Sequence, residues 1–243
     1  VESEILARLS GGQDGHAFIG AAIANGAKAV ILEDDTALAD SFFMHTGVVK
    51  IVVPNARIAL ARISANFYGH PANKLSVAGV TGTNGKTTTA YLLKSILEAD
   101  GRRTGLIGTI EYSLGGESFP ATHTTPESLE LQEMLARMAE RECTAAVMEV
   151  SSHALHQNRV SGMTFGAAVF TNLTQDHLDY HGSMEEYFNA KKILFETLRP
   201  ESWAIVNLDD PRGRQIVAST RARTISYAVS STADVQAKEI SLS

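Results

Sequence analysis

The sequence predicts an α/β protein, with a small N-terminal α/β domain over residues 1–73 and a second domain built on a mostly parallel sheet over residues 74–243. Three observations carry this reading. Short apolar runs alternate with helical patterns along the chain, and a turn-rich connector, Gly69-His70-Pro71-Ala72-Asn73, separates two such series. Polar residues gather directly after several of the apolar runs, where open parallel sheets place their ligands.

In the first series, residues 17–25 are helical in pattern and Gly26 ends them, and Ala29-Val30-Ile31-Leu32 reads as a buried strand. A strand over 48–53 is halted by Pro54, and an apolar-periodic helix follows over 56–68. Beyond the connector, strands over 75–80, 106–110, 145–150, 167–170 and 203–206 alternate with helices over 86–99, 126–141 and 183–198. Another strand is expected shortly before Ser243, with no closing element after it.

Composition narrows the function classes. With 44% apolar and 20% charged residues the chain reads as an ordinary soluble globular protein, and no apolar run approaches the roughly 20 residues that span a bilayer. A net charge of −6 argues against general binding to nucleic acid backbones while permitting a local basic pocket. The single cysteine, Cys143, has no internal disulfide partner, in keeping with a reducing cytoplasm. No membrane and no nucleic acid partner is expected, and the oligomeric state is not legible.

The chemistry starts at Thr81-Gly82-Thr83-Asn84-Gly85-Lys86-Thr87-Thr88, where the run 75–80 gives way to a helical pattern. A glycine-rich turn there aims backbone N–H groups and a lysine at phosphates, which makes the second domain P-loop-like. The usual P-loop spacing wants glycine at position 80, which is Val80, and Gly79 comes one residue early. The competing reading is a structural turn with an exposed lysine; the concentration of glycines, lysine and hydroxyls at one strand-to-helix junction favours phosphate. In that role Gly82, Thr83, Asn84, Gly85, Lys86, Thr87 and Thr88 bind the nucleotide, with Lys86 on its β- and γ-phosphates and the Thr87 hydroxyl on Mg²⁺.

Glu149 closes another apolar run, a place where a carboxylate is tolerated when paired or metal-bound, and Ser151-Ser152-His153 after it tilts the reading toward a site. His177 and His181 share a helical spacing, but Leu178 stands where a zinc protease carries glutamate, so the zinc signal is weak. Lys191 and Lys192, read from pattern alone, lie on a solvated helix face.

Taken together, Val80 to Thr89, His123-Thr124-Thr125-Pro126-Glu127, Glu149-Val150-Ser151-Ser152-His153-Ala154-Leu155 and the stretch from Phe170 through Asp176-His177-Leu178-Asp179-Tyr180-His181-Gly182 closely resemble the Mur ligases. The resemblance covers nearly the whole chain, from Asp14-Gly15-His16 onward, and is closest to the branch that adds the third amino acid of the peptidoglycan precursor. It implies an ATP-dependent ligase acting on UDP-MurNAc-L-Ala-D-Glu and either meso-diaminopimelate or L-lysine, by way of an acyl phosphate. Carried over by motif, Thr87 and Glu149 hold one Mg²⁺, and His177 with a carbamylated Lys191 serves a second; Lys86, Glu149, His177 and Lys191 are the catalytic set. Thr124, Thr125, Ser151, Gln157 and Arg159 match positions that hold the UDP-MurNAc-dipeptide, residues 1–73 correspond to its binding domain, and residues 74–243 correspond to the ATP-binding domain. His123 stands where many relatives carry asparagine.

The resemblance also predicts missing parts. The Asp-Ser-Arg motif that helps seat the uridine nucleotide is not found in residues 1–12, and the adenine-side asparagine motif and amino-acid-accepting domain are expected beyond Ser243. The expectation is therefore of a partial chain that does not ligate alone. Competing readings are another Mur ligase, a folylpolyglutamate synthetase-like ligase, and a non-catalytic nucleotide-binding module.

Overall fold

The computed structural model describes residues 15–240; residues 1–14, which include Asp14 and the 1–12 segment, and residues 241–243 lie outside the described residues. A 3₁₀ turn over Gly15–Phe18 leads into α1 (Ile19–Ala24), which ends before Gly26 at φ +100°. Then follow β1 (Ala29–Leu32), α2 (Asp40–Thr46), β2 (Val49–Val52) and α3 (Ala56–Phe67). β1 and β2 pair in parallel as a separate two-stranded sheet over Ile19, Val30, Leu32, Phe43 and Val48. Parallel pairing needs a crossover, and α2 supplies it in seven residues, too short for its period to be read in the sequence. Asn55 caps α3 by accepting the Ile58 N–H at 2.9 Å.

The connector becomes a 3₁₀ turn over Pro71–Lys74. It leads into β3 (Ser76–Thr81), α4 (Lys86–Ala99), β4 (Thr104–Ile107), β5 (Glu111–Ser113), β6 (Ser118–Pro120), α5 (Ser128–Glu140) and β7 (Ala145–Glu149). After these come α6 (Ser152–His156), β8 (Ala167–Phe170), α7 (Leu178–His181), α8 (Met184–Glu196), β9 (Trp203–Asn207), α9 (Gly213–Ser219), β10 (Arg223–Ala228) and β11 (Val235–Gln236). The strands form one sheet in the order β11-β10-β9-β8-β3-β7-β4-β5-β6, parallel from β11 to β4 and antiparallel across β5 and β6.

β7 is buried at every residue because both faces of the sheet are covered there. On one face Leu131, Leu135 and Met138 of α5 with Phe188, Leu194 and Phe195 of α8 pack over Val77, Met148 and Phe170. Across the sheet, Ala90 of α4 sits on Val80, Leu106 and Val147. Each such aliphatic or aromatic side chain contributes about 1.5–3 kcal/mol on burial. Among the described residues no helix is long and apolar enough to cross a membrane.

The strand expected over 106–110 starts two residues earlier and stops at Ile107. Gly108 turns the chain back, its N–H reaching the Glu111 carbonyl at 3.3 Å, and opens the β4-β5-β6 meander. With β3 central and β7 and β8 on either side, the register sets Val80 opposite Glu149 and Thr81 opposite Phe170. The loops after all three strands therefore leave the same edge of the sheet.

Candidate active site

The turn after β3 takes a shape that only glycine adopts readily. Gly82 has φ +154° and a Cβ on it would drive into the Thr171 hydroxyl; Gly85, at φ +82°, is the N-cap of α4. The loop after β8 braces this turn. Thr83 N–H donates to the Asn172 carbonyl at 2.9 Å, Asn84 N–H to Asn172 Oδ1 at 2.9 Å, and the Thr171 hydroxyl to the Asn84 carbonyl at 2.7 Å. Lys86 curls back, its Nζ donating to the carbonyls of Gly82 at 2.9 Å and Thr83 at 2.8 Å. Burial pushes its pKa down, against the pull of Glu149 and Asp176. The turn, the first amides of a fourteen-residue helix and this ammonium form a concave, positive anion seat.

Glu149, the last residue of β7, is 1% exposed and faces the same turn. Its Oε2 accepts the Thr87 hydroxyl at 2.9 Å and the Thr109 hydroxyl at 3.1 Å, and its Oε1 accepts the Thr109 N–H at 2.9 Å. A Cβ at Gly108 would stand 2.6 Å from Oε1, so that glycine lets the loop close on the carboxylate.

From the other side α8 brings Lys191, which is 1% exposed and donates from Nζ to the Gly82 carbonyl at 2.8 Å. The solvated-face reading thus fails for Lys191, whose side of α8 packs onto the turn; it fits Lys192, paired at the surface with Glu196 at 3.2 Å. Burial, and then the neighbouring Lys86, brings the Lys191 pKa down to about 7, with Asp176 opposing. Tyr187, one helical turn earlier, is buried, places its OH 3.2 Å from the Thr83 hydroxyl, and lies under the Lys191 ammonium at 4.5 Å from the ring centre.

His177 sits in the left-handed region at φ +52°, ahead of α7, with Nε2 3.4 Å from Asp176 Oδ2. The one-face pairing of His177 and His181 does not make a metal site. His181 is buried, with Nε2 3.0 Å from the Ser152 hydroxyl, and burial with His153 and His156 nearby brings its pKa down to about 4. Among the described residues no group of three or more His, Cys, Asp or Glu is arranged to hold a metal.

The five residues matched to substrate binding divide. Thr124, its Oγ1 3.1 Å from Thr109 Oγ1, and Ser151, the N-cap of α6, line the cleft. Thr125 is buried, donating its hydroxyl to the Glu149 carbonyl at 2.9 Å. Gln157 donates to the Tyr180 OH at 3.1 Å. Arg159 is 8% exposed and its fork is engaged by the Gln157 Oε1 at 3.0 and 2.7 Å, the Thr125 carbonyl at 2.8 Å and Glu127 at 3.0 Å. These three support the cleft wall rather than line it.

One cleft of about 450 Å³ collects Thr83 to Thr88, Glu149, His177, Lys191, Thr124 and Ser151, together with Thr109, Ser152 and Tyr187. Sequence reasoning missed Thr109 and Tyr187. Thr109 falls inside the run expected as a strand over 106–110, which hid it, whereas Tyr187 stands at i−4 from Lys191, a spacing that puts the two on one helix face. The oxygen donors of Thr87 and Glu149, side by side at the anion seat, suit a hard cation that draws its remaining ligands from phosphate and water, as Mg²⁺ does. Lys191 as an ammonium repels a cation, and fits a second one only if converted to an anion.

Residues 80–243 match the Mur ligase middle domain. A UDP-N-acetylmuramoyl-L-alanyl-D-glutamate--2,6-diaminopimelate ligase of Caldanaerobacter subterraneus is 44% identical over 227 residues, which are 93% of this chain and 45% of that protein. A solved structure of a ligase of the same name superimposes with a TM-score of 0.79 at 31% identity, over 97% of this chain and 48% of that one. A MurF ligase from Thermotoga maritima, solved in complex with ADP, shares the fold at a TM-score of 0.54 and 22% identity, over 93% of this chain and 48% of that one. The chain spans about half the length of the curated relatives it matches.

Proposed function

This chain belongs to the Mur ligase family, and we propose that it forms the ATP-binding and carboxylate-activating part of a ligase that adds meso-diaminopimelate to UDP-MurNAc-L-Ala-D-Glu. The observation that carries this reading is the convergence of Lys86, Thr87, Glu149 and Lys191 on one cleft around the Gly82 turn. Residues 74–243 serve as the ATP-binding domain and residues 1–73 as the domain that holds the UDP-MurNAc moiety. The soluble nucleotide substrates are the ground for assigning it to the cytoplasm.

The turn amides seat the ATP phosphates, and Lys86 exchanges the carbonyls of Gly82 and Thr83 for phosphate oxygens, a stronger charge-assisted contact. Thr87 and Glu149 hold Mg²⁺, which supplies charge withdrawal from the γ-phosphate when bound. The D-Glu side-chain carboxylate of the substrate attacks the γ-phosphorus and ADP leaves, giving an acyl phosphate. The incoming amine then attacks the acyl carbon, phosphate departs, and the amine's proton is lost. Each stage brings two anions together or develops charge, so cationic preorganisation at the turn is the main catalytic contribution of this chain.

Lys191 is suited to carbamylation. With its pKa near 7, a substantial neutral fraction exists at physiological pH, and a neutral amine attacks the CO₂ carbon and sheds a proton to leave a carbamate anion. His177 and that carbamate together serve the second cation. Protein equilibrated with ¹³C-bicarbonate is expected to show a carbamate carbon resonance that grows as pH rises through 7 and is absent from Lys191→Met. An unlabelled wild-type protein at pH 8 would sink this role.

Isothermal titration tests the whole reading. Mg²⁺-ATP analogue and UDP-MurNAc-dipeptide are both expected to bind, without turnover by this chain alone. A generic nucleotide module would bind only the first, and binding of nucleotide with no response to the sugar nucleotide would refute the ligase assignment.

A further inference from the structure

Glu149 is held from one side by a single residue that the carried-over roles leave out. Thr109 gives it two hydrogen bonds, N–H to Oε1 at 2.9 Å and hydroxyl to Oε2 at 3.1 Å. Thr87 also reaches that carboxylate, donating its hydroxyl to Oε2 at 2.9 Å. Thr109 thus grips both oxygens and fixes the rotation of the carboxylate plane. Oε2, the oxygen shared with Thr87, is thereby turned to the anion seat.

The proton directions follow from valence. An ionised carboxylate only accepts, so the Thr87 proton is committed to Glu149 and the Thr87 lone pairs are left for a cation. Thr109 has one hydroxyl proton, which faces two acceptors, Glu149 Oε2 and Thr124 Oγ1, each at 3.1 Å. The charged carboxylate is the stronger acceptor and takes it.

We propose that Thr109 is a positioning residue that orients Glu149 and so sets the affinity of the cation bound by Thr87 and Glu149, an inference that rests on the Mg²⁺-nucleotide reading above. The backbone makes the placement firm. Gly108 admits the loop against Oε1, and the following residues are pinned by the Ala121 N–H on the Ile110 carbonyl at 3.1 Å and Tyr91 OH on Glu111 at 3.1 Å.

The test is ADP titration calorimetry over a Mg²⁺ series with wild type, Thr109→Val and Thr109→Ser. Valine keeps the shape and the N–H but lacks the hydroxyl. Thr109→Val is expected to bind metal-free ADP as wild type does, which also reports an intact turn, while its Mg²⁺ affinity falls about tenfold, the low end for loss of a group that orients a ligand. Thr109→Ser is expected to restore it. Wild-type Mg²⁺ affinity in Thr109→Val, or equal losses in valine and serine variants, overturns the role of the hydroxyl. A wild-type protein whose ADP binding ignores Mg²⁺ overturns the cation site itself, before any variant is made.

Discussion

Gly82→Ala is expected to remove nucleotide binding altogether and to lower stability by about 3 kcal/mol. Two independent costs combine. At φ +154° an L-residue is strained wherever it has room, and here there is none, because the new Cβ meets the Thr171 hydroxyl and the Asn172 backbone on β8's outgoing loop. Relief by a backbone shift would move the Gly82 carbonyl, which both Lys86 and Lys191 grip. Urea unfolding measures the stability loss and ADP calorimetry the binding. The double variant Gly82→Ala with Thr171→Ala, read against Thr171→Ala alone, separates the costs: it should regain the part due to collision with the hydroxyl and none of the part due to φ. An alanine variant that binds ADP normally would show that the turn is not the anion seat.

Lys86→Met is expected to weaken ADP and ATP binding on the order of 100-fold while changing stability by no more than about 1 kcal/mol. The asymmetry follows from the partners. In the free protein Lys86 is a half-buried ammonium satisfied only by two carbonyls, so its loss relieves desolvation while leaving the Thr83 carbonyl short of a donor; Gly82 keeps Lys191. Against phosphate, by contrast, nothing replaces its charge. Lys86→Arg should recover little, since a planar fork does not fit where a compact ammonium reaches two carbonyls of its own turn. Loss of binding in proportion to loss of stability would instead mark Lys86 as a structural residue.

Much of this was legible in the sequence, for identifiable reasons. α4 falls on its predicted range because an amphipathic run of fourteen residues starts at a glycine N-cap. β1 matches its run because Gly26 and the following polar residues bound it. Most of the elements that were not read are short: α2 and α9 have seven residues, α6 five, α7 four, and β5 and β6 three each, too few for a helical or alternating pattern to repeat; β10, at six residues, was not read either. Lys191 was obscured by a different cause. Its neighbours Lys192 and Glu196 advertise a solvated face, and only the tertiary position of α8 beside the Gly82 carbonyl shows that the adjacent lysine points inward. Arg159 is the converse, a residue whose fork suits an anion in sequence but is occupied in the fold by Gln157, Thr125 and Glu127.

The bracing of the glycine turn by the loop after β8 bears on how the protein acquires its activity. The stitching bonds join residues 87 to 91 positions apart: Thr171 to Asn84, Asn172 to Asn84, and Thr83 to Thr174. A growing chain that has emerged only through α4 carries every residue of the motif but none of the partners that shape it. Closing a loop of that length is entropically unfavourable until β8 docks beside β3 along the sheet. Nucleotide therefore has no seat until β8 has docked, and ligand present during refolding stabilises the finished sheet without hastening its assembly.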